Sequence, residues 1–477
     1  MMRRWRMWHA GIGVIVGSLG IISDRAIAQP DSPPMIQSPQ PAEPTSNQPN
    51  LLPKPQPTTQ PIPSNPSNQQ KPKAKRKQPP PDQFPPNPLE ITTTDPLVPY
   101  DYKNRPLTTD EQQEISAAAD RLTLIGAKRL QAKDAVGAFE AWNQELRYRR
   151  LLGFLIQEVQ TLGRVGDIAW AQNNNLQLRY ITRRLDEIRL QTEKTPAELE
   201  RDRNSPPELL NLTKRLQVIE ALGLAYQQVR LPKIAASLYE QVLTDARQRN
   251  DSLKIEATLI ALGQLHLGWF DYANAAKVYQ ELLKRAQARK DLFNEPIYLT
   301  QLIFIHEQAK QPSQAIPYQQ QLVQFYQKVN DPKPVPKLIT QIADNQRLLG
   351  RLDLAEANYQ LAYKTAQPQL QFADAGDALK KLGDMYRVNH RLDSAQRIYA
   401  FLVGIEQQAY NAYGIMNAYD QLGQVHLLQK NYPEAIAAFQ NGLAIARQLK
   451  IREDYFTTQI QQAAQADNGS QEPEVKR

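Results

Sequence analysis

Apolar residues recur at spacings of three and four from Leu107 onward, which is the pattern of amphipathic helices. We therefore predict helices of roughly 12–20 residues that are joined by short turns. No stretch of the chain alternates apolar and polar residues in the way that a half-buried strand requires. The pattern favours an all-α fold.

The helical pattern repeats with a period of 40 residues, which indicates stacked structural units. Each unit carries a leucine-glycine pair, or a substitute for it, at the same place. These pairs are Leu222-Gly223, Leu262-Gly263, Leu302-Ile303, Ile342-Ala343, Leu382-Gly383 and Leu422-Gly423. Upstream, a step of one and a half periods leads to Leu162-Gly163, and one further period leads to Leu122-Thr123. We predict eight units and an insertion of 20 residues around residues 191–208.

We term the leucine of each leucine-glycine pair, or the residue that replaces it, the slot leucine. Two further positions recur at a fixed distance from it. Counted from this leucine as position i, most units have a small residue at i+13 and an aromatic residue at i+17. The clearest pairs are Ala235 and Tyr239, Ala275 and Tyr279, Ala395 and Tyr399, and Ala435 and Phe439. The first unit has Ala135 and Phe139. We interpret the small residues as close contacts between a first helix, A, and a second helix, B, and we expect the aromatic ring to fill the space between units.

One unit departs from this pattern. The unit that contains Leu302 has neither the glycine nor the aromatic residue, and Pro312 and Pro317 lie within it. Proline removes a backbone donor and crowds the preceding helical turn. We therefore expect a kink or an irregular join in this part of the chain.

These residues resemble the tetratricopeptide repeat family over about residues 107–449. The best unit comprises Leu422-Gly423, His426, Asn431-Tyr432, Glu434-Ala435-Ile436 and Phe439. The resemblance implies a right-handed superhelical solenoid of about eight antiparallel helix pairs that binds a peptide or protein. The family's usual period is about 34 residues, and the proline that closes its repeat is missing here. We therefore expect helix B to run longer, as in the extended repeats of kinesin light chains.

The resemblance also implies where a partner would bind. In this family the A helices line a concave groove, and residues close to the slot leucine point into it. The candidates for partner contact are Glu220, Gln264, Phe304, Asp344, Arg347, Lys380, Asp384, Arg387 and Gln424. The paired Lys and Asn with which some members clamp a C-terminal carboxylate are absent, but Lys380, Arg347 and Arg387 suit an acidic segment. An ordinary solvated helix face is an equal alternative for any one of these residues.

Residues 1–28 have the three parts of a secretory signal peptide. Arg3, Arg4 and Arg6 precede an apolar run, residues 10–22, and Ala26-Ile27-Ala28 forms a small-x-small cleavage signal. The apolar run is shorter than the roughly 20 residues of a membrane-spanning helix. We predict export to a periplasm, or to a thylakoid lumen if the chain is cyanobacterial, with an uncleaved anchor as the alternative. The layout is similar to that of secreted cyanobacterial tetratricopeptide repeat proteins.

Residues 29–100 hold 22 of the 36 prolines, which predicts a disordered Pro/Gln-rich linker. Its apolar content rises near residues 87–90. The basic run Lys71–Lys77 is either a solvated part of this linker or a contact with anionic membrane or wall polymer. That contact would make the chain an envelope tether, an alternative function. We place the solenoid at residues 101–463 and a disordered tail at residues 464–477.

Composition argues against several other classes of protein. The chain has no cysteine, which excludes disulfides, thiolate metal sites and cysteine nucleophiles. Residues 101–477 carry 47 Lys and Arg against 43 Asp and Glu, so this region lacks the basic excess of a nucleic-acid binder. No Gly-rich phosphate loop and no Gly-x-Ser-x-Gly motif is present. We expect no cofactor and no catalysis, and an unrecognised enzyme is the remaining alternative.

Three histidines occupy a repeat position rather than a metal site. His266, His306 and His426 lie four residues after the slot leucine, where other units have Tyr226 and Tyr386. Equivalent positions of stacked repeats lie about 8–10 Å apart, which is too far for one ion to bridge. We interpret these histidines as packing residues and expect no metal site.

Overall fold

The structure is a computed structural model that describes residues 86–91, 95–103, 105–202 and 206–471. Within these ranges every regular element is helical, and none of the helices is long and apolar enough to cross a membrane. The predicted signal peptide, the Lys71–Lys77 run and residues 472–477 lie outside the described residues.

The described residues form 19 α-helices and one short 3-10 helix, Gln367–Gln369. In chain order the α-helices are α1 (Thr109–Gln131), α2 (Ala135–Leu152), α3 (Leu155–Ala171), α4 (Asn175–Glu193), α5 (Pro196–Arg201), α6 (Pro207–Leu210), α7 (Leu212–Gln228), α8 (Pro232–Gln248), α9 (Ser252–Gly268), α10 (Tyr272–Arg289), α11 (Asn294–Gln308), α12 (Pro312–Lys328), α13 (Val335–Leu348), α14 (Leu352–Ala366), α15 (Phe372–Val388), α16 (Leu392–Gln408), α17 (Ala412–Leu428), α18 (Tyr432–Leu449) and α19 (Glu453–Gln471).

Sixteen of these helices form eight consecutive pairs, each with an A helix followed by a B helix. The A helices are α1, α3, α7, α9, α11, α13, α15 and α17, and the helix that follows each of them is its B helix. The predicted all-α solenoid of about eight helix pairs is confirmed. We had expected a longer helix B to account for the 40-residue period. Helices α7 and α8 instead have 17 residues each, so both helices of a pair contribute equally to the period.

The turn from helix A to helix B has the same form in all eight pairs. One residue adopts a φ between 54° and 71°, and the next residue donates its N–H to a carbonyl five residues earlier. In the third pair Leu231 donates in this way to Tyr226 at 2.8 Å. The residues with positive φ are Lys133, Asn173, Arg230, Phe270, Lys310, Gly350, His390 and Lys430. This hydrogen bond closes helix A and sets the start of helix B.

The slot glycine packs against the aromatic ring of its own pair. A Cβ at Gly223 would lie 3.1 Å from the ring of Tyr239, and a Cβ at Gly383 would lie 2.6 Å from the ring of Tyr399. The glycine therefore makes room for this ring inside its own helix pair. We had predicted that the ring would fill the space between neighbouring units. The slot alanines, Ala235, Ala275, Ala395 and Ala435, are fully buried.

The first two pairs keep the period, but their register lies three residues later than predicted. Gly126 faces the ring of Trp142, and Lys133 lies eight residues after Ile125, as Arg230 lies eight after Leu222. Ile125-Gly126 therefore replaces Leu122-Thr123 as the slot pair. Ala138 and Trp142, exposed by 0% and 1%, take the places predicted for Ala135 and Phe139.

The second pair has the same shift, with Val165-Gly166 in the slot and the positive φ at Asn173. Leu162 has the spacing expected of a slot leucine because it lies on the same buried side of α3 as Val165, one helical turn earlier. Since the step to Leu222 starts at Val165 and not at Leu162, the insertion is three residues shorter than predicted. It contains the short helices α5 and α6.

The unit of Leu302, where we had expected a kink or an irregular join, differs from the others in a buried polar contact between α12 and α13. Buried Gln319 stands in the aromatic position, accepts a hydrogen bond from Asn345 Nδ2 at 3.0 Å and donates one to Glu307 at 3.2 Å. The main apolar core reaches Leu338 of α13. A smaller cluster, to which Val323 and Tyr326 of α12 and Val335 and Ile339 of α13 belong, continues the apolar contact between the two helices. Helix α12 itself is continuous through Pro317.

The end of the predicted linker folds onto α2. Leu89 and Val98 are only 3% and 8% exposed. Arg147 forms an ion pair with Asp95 at 2.6 Å and donates a hydrogen bond to the carbonyl of Pro88 at 2.8 Å. Residues 86–91 and 95–100, which we had assigned to the disordered linker, are thus ordered, because their apolar side chains cover α2.

The last helix also extends past its predicted boundary. Helix α19 reaches Gln471, so residues 464–471 are helical where we had predicted a disordered tail. Alanines 463, 464 and 466 favour continuation of the helix. Phe456 is fully buried against Gly442 of α18 and repeats the glycine–aromatic contact at the end of the array.

Candidate partner-binding face

Neighbouring A helices are joined by direct side-chain links. Lys254 of α9 bonds Glu220 of α7 at 2.5 Å, and Lys381 of α15 bonds Asp344 of α13 at 2.7 Å. These contacts hold equivalent surfaces of successive A helices side by side. We define the A-helix face as the residues five and two before, and two and five after, the slot leucine in helices α7 to α17.

The nine residues predicted to contact a partner all belong to these helices. Gln264, Arg347 and Lys380 are exposed, and the other six are half-buried. By helix they are Glu220 on α7, Gln264 on α9, Phe304 on α11, Asp344 and Arg347 on α13, Lys380, Asp384 and Arg387 on α15, and Gln424 on α17. Their contact with a partner remains a prediction.

Two aspartates of this face are held by tyrosines of their own B helices. Tyr359 donates to Asp344 at 2.6 Å, and Tyr399 donates to Asp384 at 2.6 Å. Burial raises the pKa of both tyrosines well above its usual range, and the aspartates add to the rise. The carboxylates therefore serve the packing of each helix pair as well as the surface.

Lysines on α15 neutralise the same aspartates. Lys380 lies 3.1 Å from Asp384, and half-buried Lys381 bonds Asp344. Burial opposes the charge of Lys381, but Asp344 and Asp377 raise its pKa above the ordinary value. The lysines and aspartates of α13 and α15 are therefore paired with one another. The other two positively charged residues predicted to contact a partner on these helices are Arg347 and Arg387.

The part of the face on α7 to α11 is mainly apolar and amide-rich. Leu224 is 47% exposed and Ile297 is 43% exposed. Half-buried Ile260 and exposed Gln264 lie on α9 between them. The sequence reasoning missed Ile297, although its spacing of five residues before Leu302 would have identified it. The face thus changes from apolar on α7–α11 to charged on α13–α15.

Gln424 and Asp420 on α17 are used for packing the last helix. Gln424 donates to Gln459 at 2.9 Å, and Asp420 accepts from Tyr455 at 2.8 Å and pairs with Arg452 at 2.8 Å. These bonds fasten α19 to α17. Gln424 therefore has less freedom to meet a partner than the other candidates.

The histidines pack as predicted. His306 and His426 are 6% and 7% exposed, and His306 stacks on Tyr318 with its ring centroid 5.5 Å away. Burial lowers the pKa of His426, while His266 lies 3.0 Å from Asp271 at its own turn. In the part of the chain that the structure describes, no group of three or more His, Asp or Glu side chains is placed to hold a metal ion.

The stacked pairs, their common turn and the glycine–aromatic contact define a helical repeat protein. Residues 374–448, which run from α15 to α18, match the family described as Tetratricopeptide repeat. This segment is thus similar to tetratricopeptide repeats. A comparison with curated proteins finds no similar sequence.

Several solved structures match parts of this chain at low sequence identity. BtubC (BKLC) from P. vanneervenii is 18% identical, with 51% of this chain and 94% of that chain covered and a TM-score of 0.32. A Signal Transduction ATPase with Numerous Domains that has a tetratricopeptide repeat sensor, from Pyrococcus horikoshii, is 12% identical, with 76% and 66% covered and a TM-score of 0.33. Kinesin light chain repeats from Podosopora anserina are 14% identical, with 50% and 96% covered and a TM-score of 0.26.

Proposed function

We propose that this chain is an exported scaffold that binds a peptide or protein along the A-helix face and catalyses no reaction. Export rests on the signal-peptide pattern of residues 1–28. The observation that carries the binding proposal is the exposure of large apolar side chains on this face, Leu224 on α7 and Ile297 on α11. A partner that covers them gains roughly 25 cal/mol for each Å² of apolar surface buried.

The change in character along the face indicates the kind of segment it suits. An apolar stretch would lie on α7–α11, and an acidic stretch would lie on α13–α15 beside Arg347 and Arg387. The ion pairs of Asp344 and Asp384 reduce the repulsion that such an acidic stretch would meet. We therefore expect an extended partner segment that is apolar at one end and acidic at the other.

Crosslinking followed by affinity capture from envelope extract tests the proposal with two matched variants. Leu224→Asp changes the A-helix face, whereas Leu361→Asp changes helix α14 at a leucine of nearly equal exposure, 47% against 48%. We expect Leu224→Asp to lose its crosslinked partner and Leu361→Asp to keep it. Equal capture by both variants would place binding elsewhere, and a wild-type chain that captures no specific partner would reject the scaffold.

A further inference from the structure

An open cleft of about 620 Å³ lies between the first two A helices, α1 and α3. Its walls carry Asp120 and Leu124 from α1 and Gln157 and Arg164 from α3. Glu145 and Arg149 of α2 form its floor. None of these residues belongs to the A-helix face on α7–α17, although Asp120 stands at the equivalent position of α1, five residues before Ile125.

The floor is charged at positions where the later pairs are largely apolar. Counted from the slot glycine, Glu145 corresponds to Val242, Leu282, Leu322, Ala362, Leu402 and Gly442. Arg149 corresponds to Arg189 in the second pair and to Ala246, Ala286, Tyr326, Ala366, Glu406 and Ala446 in the later pairs. The side chains of Glu145 and Arg149 are only 1% and 11% exposed. Burying charge is unfavourable unless it is well paired, so helix packing alone does not account for two charged residues here.

Glu145 is fixed by its neighbours. Thr123 donates its hydroxyl to one carboxylate oxygen at 2.6 Å, and Arg164 donates to the other at 2.7 Å. Arg164 also lies over the ring of Trp142, 5.7 Å from its centroid. This carboxylate is therefore part of the cleft's framework and holds Arg164 at the wall.

Arg149 is held by partners that can be exchanged. Its guanidinium donates to Asp120 at 2.6 Å and to Gln157 at 2.9 Å, and its Nε has no hydrogen-bond partner among the described residues. Asp120 is 67% exposed, although the arginine it binds is almost buried. Asp120 therefore lies on the solvent side of this ion pair, where an incoming carboxylate can compete with it for the guanidinium of Arg149.

We infer that this cleft binds an acidic side chain of a partner protein, and that Asp120 occupies the carboxylate position when no partner is bound. Asp120, Glu145, Arg149 and Arg164 together carry no net charge, and the exchange of one carboxylate for another preserves that balance. A phosphate group would bring a second negative charge beside Glu145. Because the cleft is an open trough between two helices, a chain can pass through it. Leu124, which is 64% exposed at the rim, suits an apolar residue next to the acid.

The inference is tested on the full chain with a fluorescein-labelled Ala-Leu-Glu-Leu-Ala peptide, blocked at both ends, by fluorescence anisotropy. Removal of the competing carboxylate in Asp120→Asn is expected to tighten binding by about 2–5-fold. Loss of the guanidinium in Arg149→Gln is expected to weaken it by on the order of 10-fold or more. Arg149→Lys, which keeps the charge without the paired donors, is expected to fall between wild type and Arg149→Gln.

A matched control separates the cleft from general electrostatics. Glu281 of helix α10, like Asp120, pairs with an arginine, Arg247, at 2.6 Å, and it lies outside both the cleft and the A-helix face. Glu281→Gln removes the same charge and is expected to leave affinity for the peptide unchanged. An equal gain in Asp120→Asn and Glu281→Gln would overturn the inference, and so would unchanged binding by a folded Arg149→Gln chain. Tighter binding of the phosphoserine version than of the glutamate peptide would overturn the carboxylate preference.

Discussion

The first helix pair and the seventh pair share one packing contact and differ in what surrounds it. In the first pair Gly126 receives the ring of Trp142, and in the seventh Gly383 receives the ring of Tyr399. Deeper in the B helix, the first pair carries Glu145 and Arg149, whereas the seventh carries Leu402 and Glu406. The comparison teaches that the turn and the glycine–aromatic contact suffice to define a pair, and that the rest of the buried B-helix surface can vary.

The largest change in the free energy of unfolding is expected for a substitution in the segment that packs on the outer side of the first pair. The outer side of the first pair is packed by residues 86–91 and 95–103, with Leu89 buried in the main core. Leu89→Ala is expected to lower the free energy of unfolding by about 2–4 kcal/mol. Chemical denaturation of the full chain measures this loss. Tyr100→Ala changes a residue of the same segment that is 91% exposed and serves as the control; equal losses would mean that burial of Leu89 does not stabilise the pair.

The shared contact itself is tested by adding one methyl group to each glycine. A Cβ at Gly383 would lie 2.6 Å from Tyr399, so the ring must move. Gly126→Ala and Gly383→Ala are each expected to lower the free energy of unfolding by about 1–3 kcal/mol. Thermal unfolding of both variants is the measurement.

Gly404, in the middle of α16, is the control because no other group lies within 4 Å of an added Cβ. Gly404→Ala is expected to stabilise the chain by about 0.5–1 kcal/mol through its better helix propensity. A loss of stability at Gly404 similar to that at Gly383 would contradict the steric explanation.

The smallest expected effect concerns Glu406, which stands where the first pair has Arg149. Glu406 is 8% exposed, and its carboxylate accepts from Asn411 Nδ2 at 2.8 Å. Burial raises its pKa above the ordinary value. The folded chain then binds this proton more tightly than the unfolded chain, so the free energy of unfolding falls as pH rises from the ordinary glutamate pKa, about 4.3, to the raised value.

Glu406→Gln removes this dependence and is expected to be more stable than wild type at neutral pH. The difference should shrink as pH falls below about 4, where the glutamate is protonated in both states. Urea denaturation at pH 4 and pH 7 measures it. Exposed Glu240→Gln on α8 is the control, and a Glu406→Gln chain that is less stable than wild type at pH 7 would show that the carboxylate is well paired.

The regular part of the fold was predictable from sequence because glycine and aromatic residues recur in phase from Leu222 to Phe439. The identical spacing of the pairs Asp344–Tyr359 and Asp384–Tyr399 was also visible in the sequence. The register of the first two pairs was missed because Leu122 and Leu162 mimic the slot one turn early. The cleft at Glu145 and Arg149 was missed because only the corrected register shows that these charges replace apolar core residues.

The buried amides at the contact between α12 and α13 have a consequence for the alignment of neighbouring repeats. Gln319 and Asn345 satisfy each other by a directional hydrogen bond, beside the apolar contact of Val323 and Tyr326 with Val335 and Ile339. A buried amide that loses its partner is costly to leave without a hydrogen bond. This pair therefore favours a single alignment of the sixth helix pair on the fifth, which apolar contacts alone would define less sharply.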